Sequence, residues 1–260
     1  MDEVRLKPYK KDFDFSYTLG VFPTLELIAH KPSAVERIVL SPKGAHNEGV
    51  GKLIDFAEKS GIPALFEPKT LARISSKDNC FAAGVFKKYT CELRSGANHL
   101  VLVNPSDMGN LGTILRTATA FGVEDIAIIS PGADIYDPKV VRASMGAIFH
   151  IHFAYFSSFE AYCSGPGQGN RALIPFMLDG TAINRVAADY RAQRQVAQAV
   201  KEDLPFSLIF GNESSGLPAE FLKVGTPARI LHRNTVDSLN LPMAVGIGLY
   251  TFTEMNQEVR

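Results

Sequence analysis

The stretch from Asn104 to Gly122, NPSDMGNLGTILRTATAFG, constrains the fold of this 260-residue chain more than any other. It follows His99–Val103 (HLVLV), a short, bounded apolar run that predicts a buried strand. Four apolar residues then recur at the spacing of one helix face: Leu111, Ile114, Leu115 and Ala118. The sequence therefore predicts a strand, a polar turn and a helix, which is the building unit of α/β folds.

The limits of this helix are marked by polar residues and glycines. We expect Pro105 and Gly109 to exclude regular structure before it begins. Asn110 is a favourable N-cap, and Gly122 stands where a helix commonly ends. Arg116 lies off the apolar face, so the helix can carry this cation without burying it. On this stretch alone, an ordinary capped helix with a solvated arginine explains the residues equally well.

Two later stretches also join an apolar element to a polar loop. Pro205–Pro218, PFSLIFGNESSGLP, is a buried strand that enters a Gly-rich loop. Asn234–Tyr250, NTVDSLNLPMAVGIGLY, is a polar loop that enters an apolar helix, with Pro242 at a favoured early position. At these three stretches, within residues 99–255, the chain resembles the SpoU (TrmH-like) class of the SPOUT superfamily, the RNA ribose 2′-O-methyltransferases.

The resemblance implies S-adenosyl-L-methionine as the cofactor and a ribose 2′-OH of structured RNA, ribosomal or transfer RNA, as the methyl acceptor. It also implies a homodimer and a trefoil knot formed by the last third of the chain, and we expect no metal. The catalytic positions of the family match Asn110, Arg116, Glu213, Ser238 and Asn240. The positions whose main chain holds the cofactor match Gly211, Ile230 and Leu239.

The chemistry of methyl transfer explains why these residue types would be needed. A ribose hydroxyl is a poor nucleophile, so its proton must be loosened and the developing negative charge stabilised. Arg116 supplies a fixed positive charge, and its guanidinium can hold the neighbouring RNA phosphate in a forked pair. Glu213 would accept hydrogen bonds from Arg116 or from the substrate. Gly211 would let the backbone approach the adenosine closely.

The same residues also have simpler structural interpretations. A loop carboxylate such as Glu213 commonly bonds nearby amides. Ser238 and Asn240 can cap the last helix, while Ile230 and Leu239 can be core residues. The small residues of that helix permit close contact, either within the fold or across a dimer: Ala244, Gly246 and Gly248.

Alternating elements before the first motif predict a separate, small α/β domain. Its expected elements are a strand at 35–41, a helix at 50–61, a strand at 62–67, a helical turn at 70–75 and a strand at 81–86. Their order, with phrases such as ERIVLS and FAAGVF, resembles ribosomal-protein L30e-like RNA binders. With an N-terminal arm at 1–15 and a polar linker at 89–98, we assign residues 1–95 to RNA recognition and residues 96–260 to methyl transfer.

The second domain is predicted to contain a mainly parallel sheet. Its apolar runs are nearly continuous and alternate with helical segments, which is typical of a sheet covered on both faces. These runs are residues 99–104, 125–130, 151–156, 172–178, 206–211 and 228–232. Residues 164–170 are expected to form a Gly-rich surface loop, and residues 189–201 an exposed helix.

Composition indicates a water-soluble protein of one large or two ordinary domains. The chain is 46% hydrophobic and 21% charged, and no apolar run is long enough to cross a bilayer. Net charge is zero, but residues 1–95 hold 15 basic against 12 acidic side chains, a weak indication of a polyanionic partner. The cysteines Cys80, Cys91 and Cys163 are odd in number and lack CxxC spacing, which favours a reducing cytoplasm.

The sequence also raises a possible metal-binding pair of histidines and two alternative functions. His150 and His152 have the spacing of one strand face, but structural histidines are more common than metal ligands where no third ligand is close in sequence. One rival is an RNA-binding protein that keeps the fold without catalysis, which the complete set of motif residues opposes. The other is a methyltransferase acting on a base nitrogen, which the SerLeuAsn of the third motif disfavours. The target nucleotide is left open.

Overall fold

The structure, a computed structural model, describes residues 6–75, 79–167, 169–233, 235 and 237–253. The strands are β1 (Phe15–Leu19), β2 (Val35–Leu40), β3 (Ala64–Phe66), β4 (Ala82–Lys87), β5 (His99–Val103), β6 (Asp125–Ile129), β7 (His152–Phe156), β8 (Ala172–Ala182), β9 (Phe206–Phe210) and β10 (Ala228–Arg229). The α-helices are α1 (Val21–His30), α2 (Glu48–Ser60), α3 (Pro68–Ile74), α4 (Met108–Ala120), α5 (Pro138–Ala143), α6 (Phe159–Cys163), α7 (Ile183–Ala199) and α8 (Leu241–Thr253). The third motif's Asn234 and Val236 lie outside the described residues.

Contacts between residues divide the chain into two units. The first comprises the chain up to Tyr89 together with Asp134–His150, and the second comprises Thr90–Ala133 and the chain from Ile151. This division differs from the single boundary expected at residue 95. The polar stretch after Tyr89 does mark a change of unit, but the chain returns to the first unit later.

Residues 134–150 belong to the first unit because they complete its core. The ring of Phe149 lies edge-to-face on Phe86, with centroids 5.3 Å apart. The Ser16 hydroxyl donates to the carbonyl of Tyr136, and α5 packs against β1. Further apolar side chains of this segment are fully buried: Ile135, Val140, Val141 and Ile148. An apolar pattern shows that a segment is buried but not which sheet it covers, so the sequence did not reveal this return.

The first unit is built on a four-stranded sheet in the order β1-β4-β2-β3. β2 and β3 are parallel, and the other pairs are antiparallel. The predicted elements from β2 to β4 are confirmed, although β3 is shorter than expected. β1 and α1 were not predicted. Residues 6–14 of the expected arm form no helix or strand, yet Leu6 is buried against the core.

The second unit is built on a six-stranded sheet in the order β10-β8-β9-β5-β6-β7. All of its strand pairs are parallel, which confirms the predicted sheet. β8 runs four residues beyond the expected Leu178, while β10 has only two residues. One face of the sheet packs on α6, where Val101, Ala127 and Ile209 join Tyr162 in an apolar cluster.

The helix of the first motif forms as predicted, but its start differs. α4 buries Leu111, Ile114, Leu115 and Ala118 completely, and Gly122 after its end has a φ of +70°. The N-cap is Asp107, whose carboxylate accepts from the main-chain N–H of Asn110 at 2.7 Å. Asn110 therefore lies in the first turn, and Gly109 is helical, contrary to expectation. Both asparagine and aspartate are good N-caps, so the sequence alone did not choose between them.

The last two helices pack on the other face of the sheet. α8 contacts α4 and α7. A Cβ on Gly248 would lie 2.9 Å from the rings of Phe176 and Phe210, so this small residue serves packing within the unit. α7 begins at Ile183 and buries Val186 and Tyr190, so the helix expected to be exposed at 189–201 is amphipathic. No helix among the described residues is long and apolar enough to span a bilayer. The trefoil knot stays a prediction.

A buried polar network crosses the sheet of the second unit at the start of β5. The fully buried His99 ring bonds the Arg94 carbonyl through Nε2 at 2.9 Å and the Tyr162 hydroxyl through Nδ1 at 2.8 Å. Because a carbonyl only accepts, Nε2 carries the proton and Nδ1 accepts. Arg171 donates to Ser207 Oγ at 2.8 Å. Burial, assisted by the positive charge of Arg171, lowers the pKa of His99 to about 4.

Candidate active site

The site lies at the carboxyl ends of β5 and β9, which are neighbours in the sheet. From β5 the chain passes through α4 to β6 on one side, and from β9 it continues to β10 on the other side. Ligands of parallel α/β sheets bind at such a point, where connections leave in opposite directions. The loops that follow the two strands, residues 104–107 and 211–217, meet there.

Glu213 joins these two loops. One carboxylate oxygen, Oε2, accepts from the main-chain N–H and the hydroxyl of Ser106 at 3.1 and 2.9 Å. The other, Oε1, accepts from the N–H of Asp107 at 3.1 Å and from the Asn110 side chain at 3.4 Å. Glu213 thus makes the hydrogen bonds to loop amides that its simpler, structural interpretation predicts. Glu213 fixes the chain that leads into α4.

The charge of Glu213 is stabilised by these donors. Burial raises the pKa of its carboxyl, but the main-chain N–H groups of Glu213 itself, Ser106 and Asp107 lower it, as does the Ser106 hydroxyl. The net result is a pKa below the ordinary value. Glu213 is therefore an anion at neutral pH, placed at the mouth of the site.

Asn212 organises the same region, and the sequence did not single it out. Its Nδ2 donates to the Asn104 carbonyl at 2.8 Å, across to the first motif. Its Oδ1 accepts from the N–H of Ser214 at 2.9 Å and from the Ser214 hydroxyl at 2.7 Å, which closes the loop on itself. Asparagine side chains commonly bond the backbone of their own turn, and this preference is the one sequence signal that could have indicated Asn212. Asn104 itself has a φ of +54°.

Gly211 is required by its own loop. A Cβ at this position would lie 2.1 Å from the carbonyl carbon of Gly216 and 2.3 Å from the main-chain nitrogen of Leu217. The loop returns this closely because Gly216 donates to the Asn212 carbonyl at 2.9 Å and has a φ of +66°. The close approach expected at Gly211 is thus present, but the observed partner is the protein backbone.

A cavity of about 500 Å³ opens beside this loop, within the size range of small-molecule sites. Predicted residues that line it are Gly211, Glu213, Ile230, Ser238 and Leu239. Its other walls combine apolar side chains with charged ones of both signs: Phe176, Leu178, Leu241, Asp179, Asp237 and Arg229. Apolar walls suit an adenine ring, and carboxylates suit a sulfonium or ammonium group, so the residues present fit S-adenosylmethionine.

Three predicted residues lie outside the cavity lining: Asn110, Arg116 and Asn240. Asn110 contacts the site through its hydrogen bond to Glu213. Asn240 accepts from the N–H groups of Met243 and Ala244 through its main-chain oxygen, so its backbone begins α8. The side chains of Ser238 and Asn240 are exposed and bond no other residue in the described part of the chain.

Arg116 is exposed on α4, six residues beyond Asn110, or about 9 Å along the helix axis. Within the described ranges it forms no hydrogen bond or ion pair. The expected hydrogen bond from Arg116 to Glu213 is therefore not formed, because the carboxylate is occupied at the start of the helix. Its position off the apolar face is confirmed. The helix leaves the guanidinium open to an anionic ligand.

Comparison with known proteins gives one family. The model of the SpoU rRNA Methylase family matches residues 97–250. An uncharacterized tRNA/rRNA methyltransferase of Synechocystis is 35% identical over 153 residues, which cover 58% of this chain and 51% of that protein. The 23S rRNA (adenosine(1067)-2′-O)-methyltransferase of Streptomyces laurentii is 27% identical over 168 residues, covering 64% of this chain and 57% of that protein. The chain thus spans little more than half the length of these relatives.

The fold also matches solved structures. The AdoMet-bound rRNA methyltransferase from Sinorhizobium meliloti superposes with a TM-score of 0.76 at 24% identity, covering 94% of this chain and 89% of that one. At this identity the likeness concerns the fold alone. It extends over both units, since it covers nearly the whole chain.

Proposed function

The chain belongs to the SpoU rRNA methylase family, and from this premise we propose that it transfers a methyl group from S-adenosyl-L-methionine to a ribose 2′-OH of ribosomal or transfer RNA. The observation that carries the proposal is the cavity at the ends of β9 and β10, lined by Glu213 and adjoining the loop that starts α4. S-adenosyl-L-methionine, when bound, supplies an electrophilic methyl group. The protein's own main chain and side chains would bind the cofactor, hold the RNA and stabilise the developing charge.

The main chain around Gly211, Ile230 and Leu239 would hold the cofactor. These residues belong to three separate segments that line one cavity, so a single small molecule can contact all of them. The rigid turn made by Asn212 keeps the first segment in place. The names of relatives that methylate 23S rRNA at a 2′-OH support the reaction class for this chain.

Arg116 would act on the RNA. Its exposed guanidinium can hold a phosphate in a forked pair and favours the ionised form of a nearby hydroxyl through charge attraction. Glu213 would position rather than react, because its oxygens already accept from Ser106, Asp107 and Asn110. Through these bonds it sets the start of the helix that carries Arg116. Ser238 and Asn240, whose side chains are exposed beside the cavity, would meet the substrate.

The proposal includes the partners. The first unit would recognise the RNA, and the active protein would be a homodimer. The first-unit assignment is supported by the excess of basic side chains in residues 1–95. The dimer is supported by apolar side chains that α8 leaves exposed, among them Met243 and Tyr250.

The test is methyl transfer by the full-length protein to total RNA from cells that lack it. Labelled S-adenosylmethionine would mark the product, and digestion to nucleosides would show whether the label is on a ribose oxygen. A 2′-O-methylnucleoside, mapped to one position, is the expected result. Label on a base nitrogen would replace the proposal with the base-methylation alternative. Cofactor and RNA binding without any transfer would identify a binding protein that keeps only the fold.

A further inference from the structure

A second cluster of reactive side chains lies in the first unit, apart from the residues assigned to methyl transfer. Glu26 and His30 stand one helical turn apart at the end of α1, and His150 ends the segment that returns to this unit. His150 Nε2 lies 2.7 Å from Glu26 Oε2, and His30 Nε2 lies 3.6 Å from the same oxygen. The two imidazole rings have centroids only 3.7 Å apart.

The three side chains converge on one point. A ligand atom from each lies within 4.8 Å of the other two. The side chains of His30, Glu26 and His150 are 41%, 25% and 29% exposed, so an ion can reach them from solvent. The sequence does not reveal this set, because its carboxylate is far from His150 along the chain. Glu26 lies 124 residues before His150.

His152 is not part of the cluster. It begins β7 in the second unit, whereas His150 precedes that strand, so the two histidines do not share a strand face. The helical spacing of Glu26 and His30 replaces that pairing. Residues i and i+4 of a helix present their side chains on one face, which is a common way to place two metal ligands.

We propose that Glu26, His30 and His150 bind one divalent transition-metal ion of the zinc class. Zinc lies about 2.0–2.2 Å from histidine nitrogen and carboxylate oxygen, so tetrahedral ligands stand about 3.3 Å apart. The separations of the two histidine nitrogens from Glu26 Oε2, 2.7 and 3.6 Å, bracket this value, and the two histidines offer ligand atoms within 4.8 Å of each other. Imidazole nitrogens select zinc-class ions over magnesium and calcium, which prefer oxygen ligands only. Water would complete the coordination.

The bound ion would tie α1 to the segment 134–150. Two ligands come from the helix and one from the end of the returning segment, so coordination closes the first unit around a long connection. In the described residues neither imidazole has a partner for its Nδ1. Such outer hydrogen bonds strengthen metal sites about 10–100-fold, so we expect affinity below that of buried structural zinc sites.

The experiment uses the full-length protein with Zn²⁺ in calorimetry and with Co²⁺ in visible spectroscopy. We expect one equivalent to bind, with nitrogen and oxygen ligation and no thiolate charge-transfer band. His30→Gln and His150→Ala should each weaken binding at least tenfold, the range seen even for lost outer partners. His46→Ala is the matched control, since His46 is an exposed histidine of the same unit outside the cluster. Zn²⁺ should raise the unfolding temperature of the wild type and of His46→Ala, but not that of His30→Gln or His150→Ala.

Several outcomes would overturn the metal site. Binding that survives both His30→Gln and His150→Ala would place the ion elsewhere, as would an equal loss in His46→Ala. A thiolate band would assign the ion to a cysteine. His30→Gln keeps the test valid if His150→Ala folds poorly, because His30 is the most exposed member. If circular dichroism shows that the wild type is folded and calorimetry shows no binding, the metal site is refuted. The three residues then form only a hydrogen-bonded histidine–glutamate cluster.

Discussion

At Glu213, burial and hydrogen bonding act on one carboxyl group in opposite directions, and hydrogen bonding prevails. Glu213→Gln keeps the size of the side chain but offers one acceptor oxygen where there were two. An N–H of Ser106 or Asp107 then faces an amide nitrogen. We expect a loss of about 1–3 kcal/mol in unfolding free energy, the cost of an unsatisfied donor, and slower methyl transfer. Chemical denaturation measures the first, and Glu220→Gln, at an exposed carboxylate nearby, is the control.

Arg116→Ala distinguishes a catalyst from a mere binder. The side chain is exposed, so its removal leaves no cavity and should cost about 0.5 kcal/mol of stability or less. Loss of one group that stabilises the transition state typically costs about 3 kcal/mol, on the order of a hundredfold in rate. Arg116→Lys should rescue little, because a point charge cannot reproduce the fork. Single-turnover transfer and cofactor affinity are the measurements.

The outcomes for Arg116 are distinct. Cofactor affinity should stay unchanged, since the cavity is lined by other segments. Arg185→Ala, at an exposed arginine of α7, is the control and should change neither property. Wild-type transfer by Arg116→Ala would refute the assigned role. Poor folding with loss of the cofactor would return Arg116 to an ordinary structural residue.

Individual residues were predicted unevenly because sequence shows residue type more clearly than partner. The buried face of α4 followed from apolar spacing, and the exposure of Arg116 followed with it. The partners of Glu213 did not, since Ser106 and Asp107 lie more than a hundred positions away. Asn212 gives no distinctive sequence signal, because turn asparagines are common, and the structure shows that its side chain joins both motifs.

Among the elements, the loop 211–216 depends most on one residue. In Gly211→Ala, the added Cβ meets backbone atoms of Gly216 at 2.1 and 2.3 Å, and backbone cannot rotate away as a side chain does. We expect a cost of about 1–3 kcal/mol, as for overpacking generally, and a reshaped cavity that binds S-adenosylmethionine weakly. Calorimetry and denaturation measure both effects.

Gly51→Ala is the opposite case and serves as the control. Gly51 lies inside α2, where an added Cβ meets nothing within 4 Å. Alanine there should stabilise the protein by about 0.5–1 kcal/mol through helix propensity. If Gly211→Ala and Gly51→Ala change the free energy of unfolding equally, the loop at Gly211 accommodates the added Cβ and the prediction is wrong.

Elements were predicted well where one signal dominated. Continuous apolar runs identified the strands of the parallel sheet, because both faces of such a sheet are covered. Strand order was not predictable, since it depends on contacts between distant segments. β1 and α1 were missed because Gly20 and Pro23 interrupt the pattern, although Pro23 is accommodated in the first turn of the helix.

For the molecule as a whole, His99 makes unfolding depend on pH. Its folded pKa of about 4 lies below the ordinary 6.5, so between these values the unfolded chain binds the proton that the folded chain refuses. The contribution of neutral His99 to the free energy of unfolding is therefore fully present above pH 6.5, and it is lost as the pH falls towards 4. The slope approaches about 1.4 kcal/mol per pH unit, or about 3 kcal/mol in all. Denaturation at pH 7 and pH 5 tests this, and equal stabilities would contradict it.

Assembly is the second property of the whole molecule. We expect a dimer at micromolar concentration, formed through the apolar side chains that α8 exposes. Met243 is 61% exposed, and Met243→Lys should produce a monomer by placing a charge in the interface. Val196→Lys, at a 69% exposed valine of α7, is the control and should leave the dimer intact. A wild-type monomer mass in light scattering would refute the dimer.

The two-part first unit has a consequence for protein synthesis. When the ribosome has made residue 89, all strands of the first sheet exist, but Phe149 and α5, which cover part of it, do not. The segment that carries them is complete 61 residues later (150 minus 89), after about 3–12 s at usual translation rates of about 5–20 residues per second. During that time Phe86 lacks the rings of Tyr136 and Phe149. The first unit therefore cannot finish folding as it emerges, and it must wait while β5, α4 and β6 are translated.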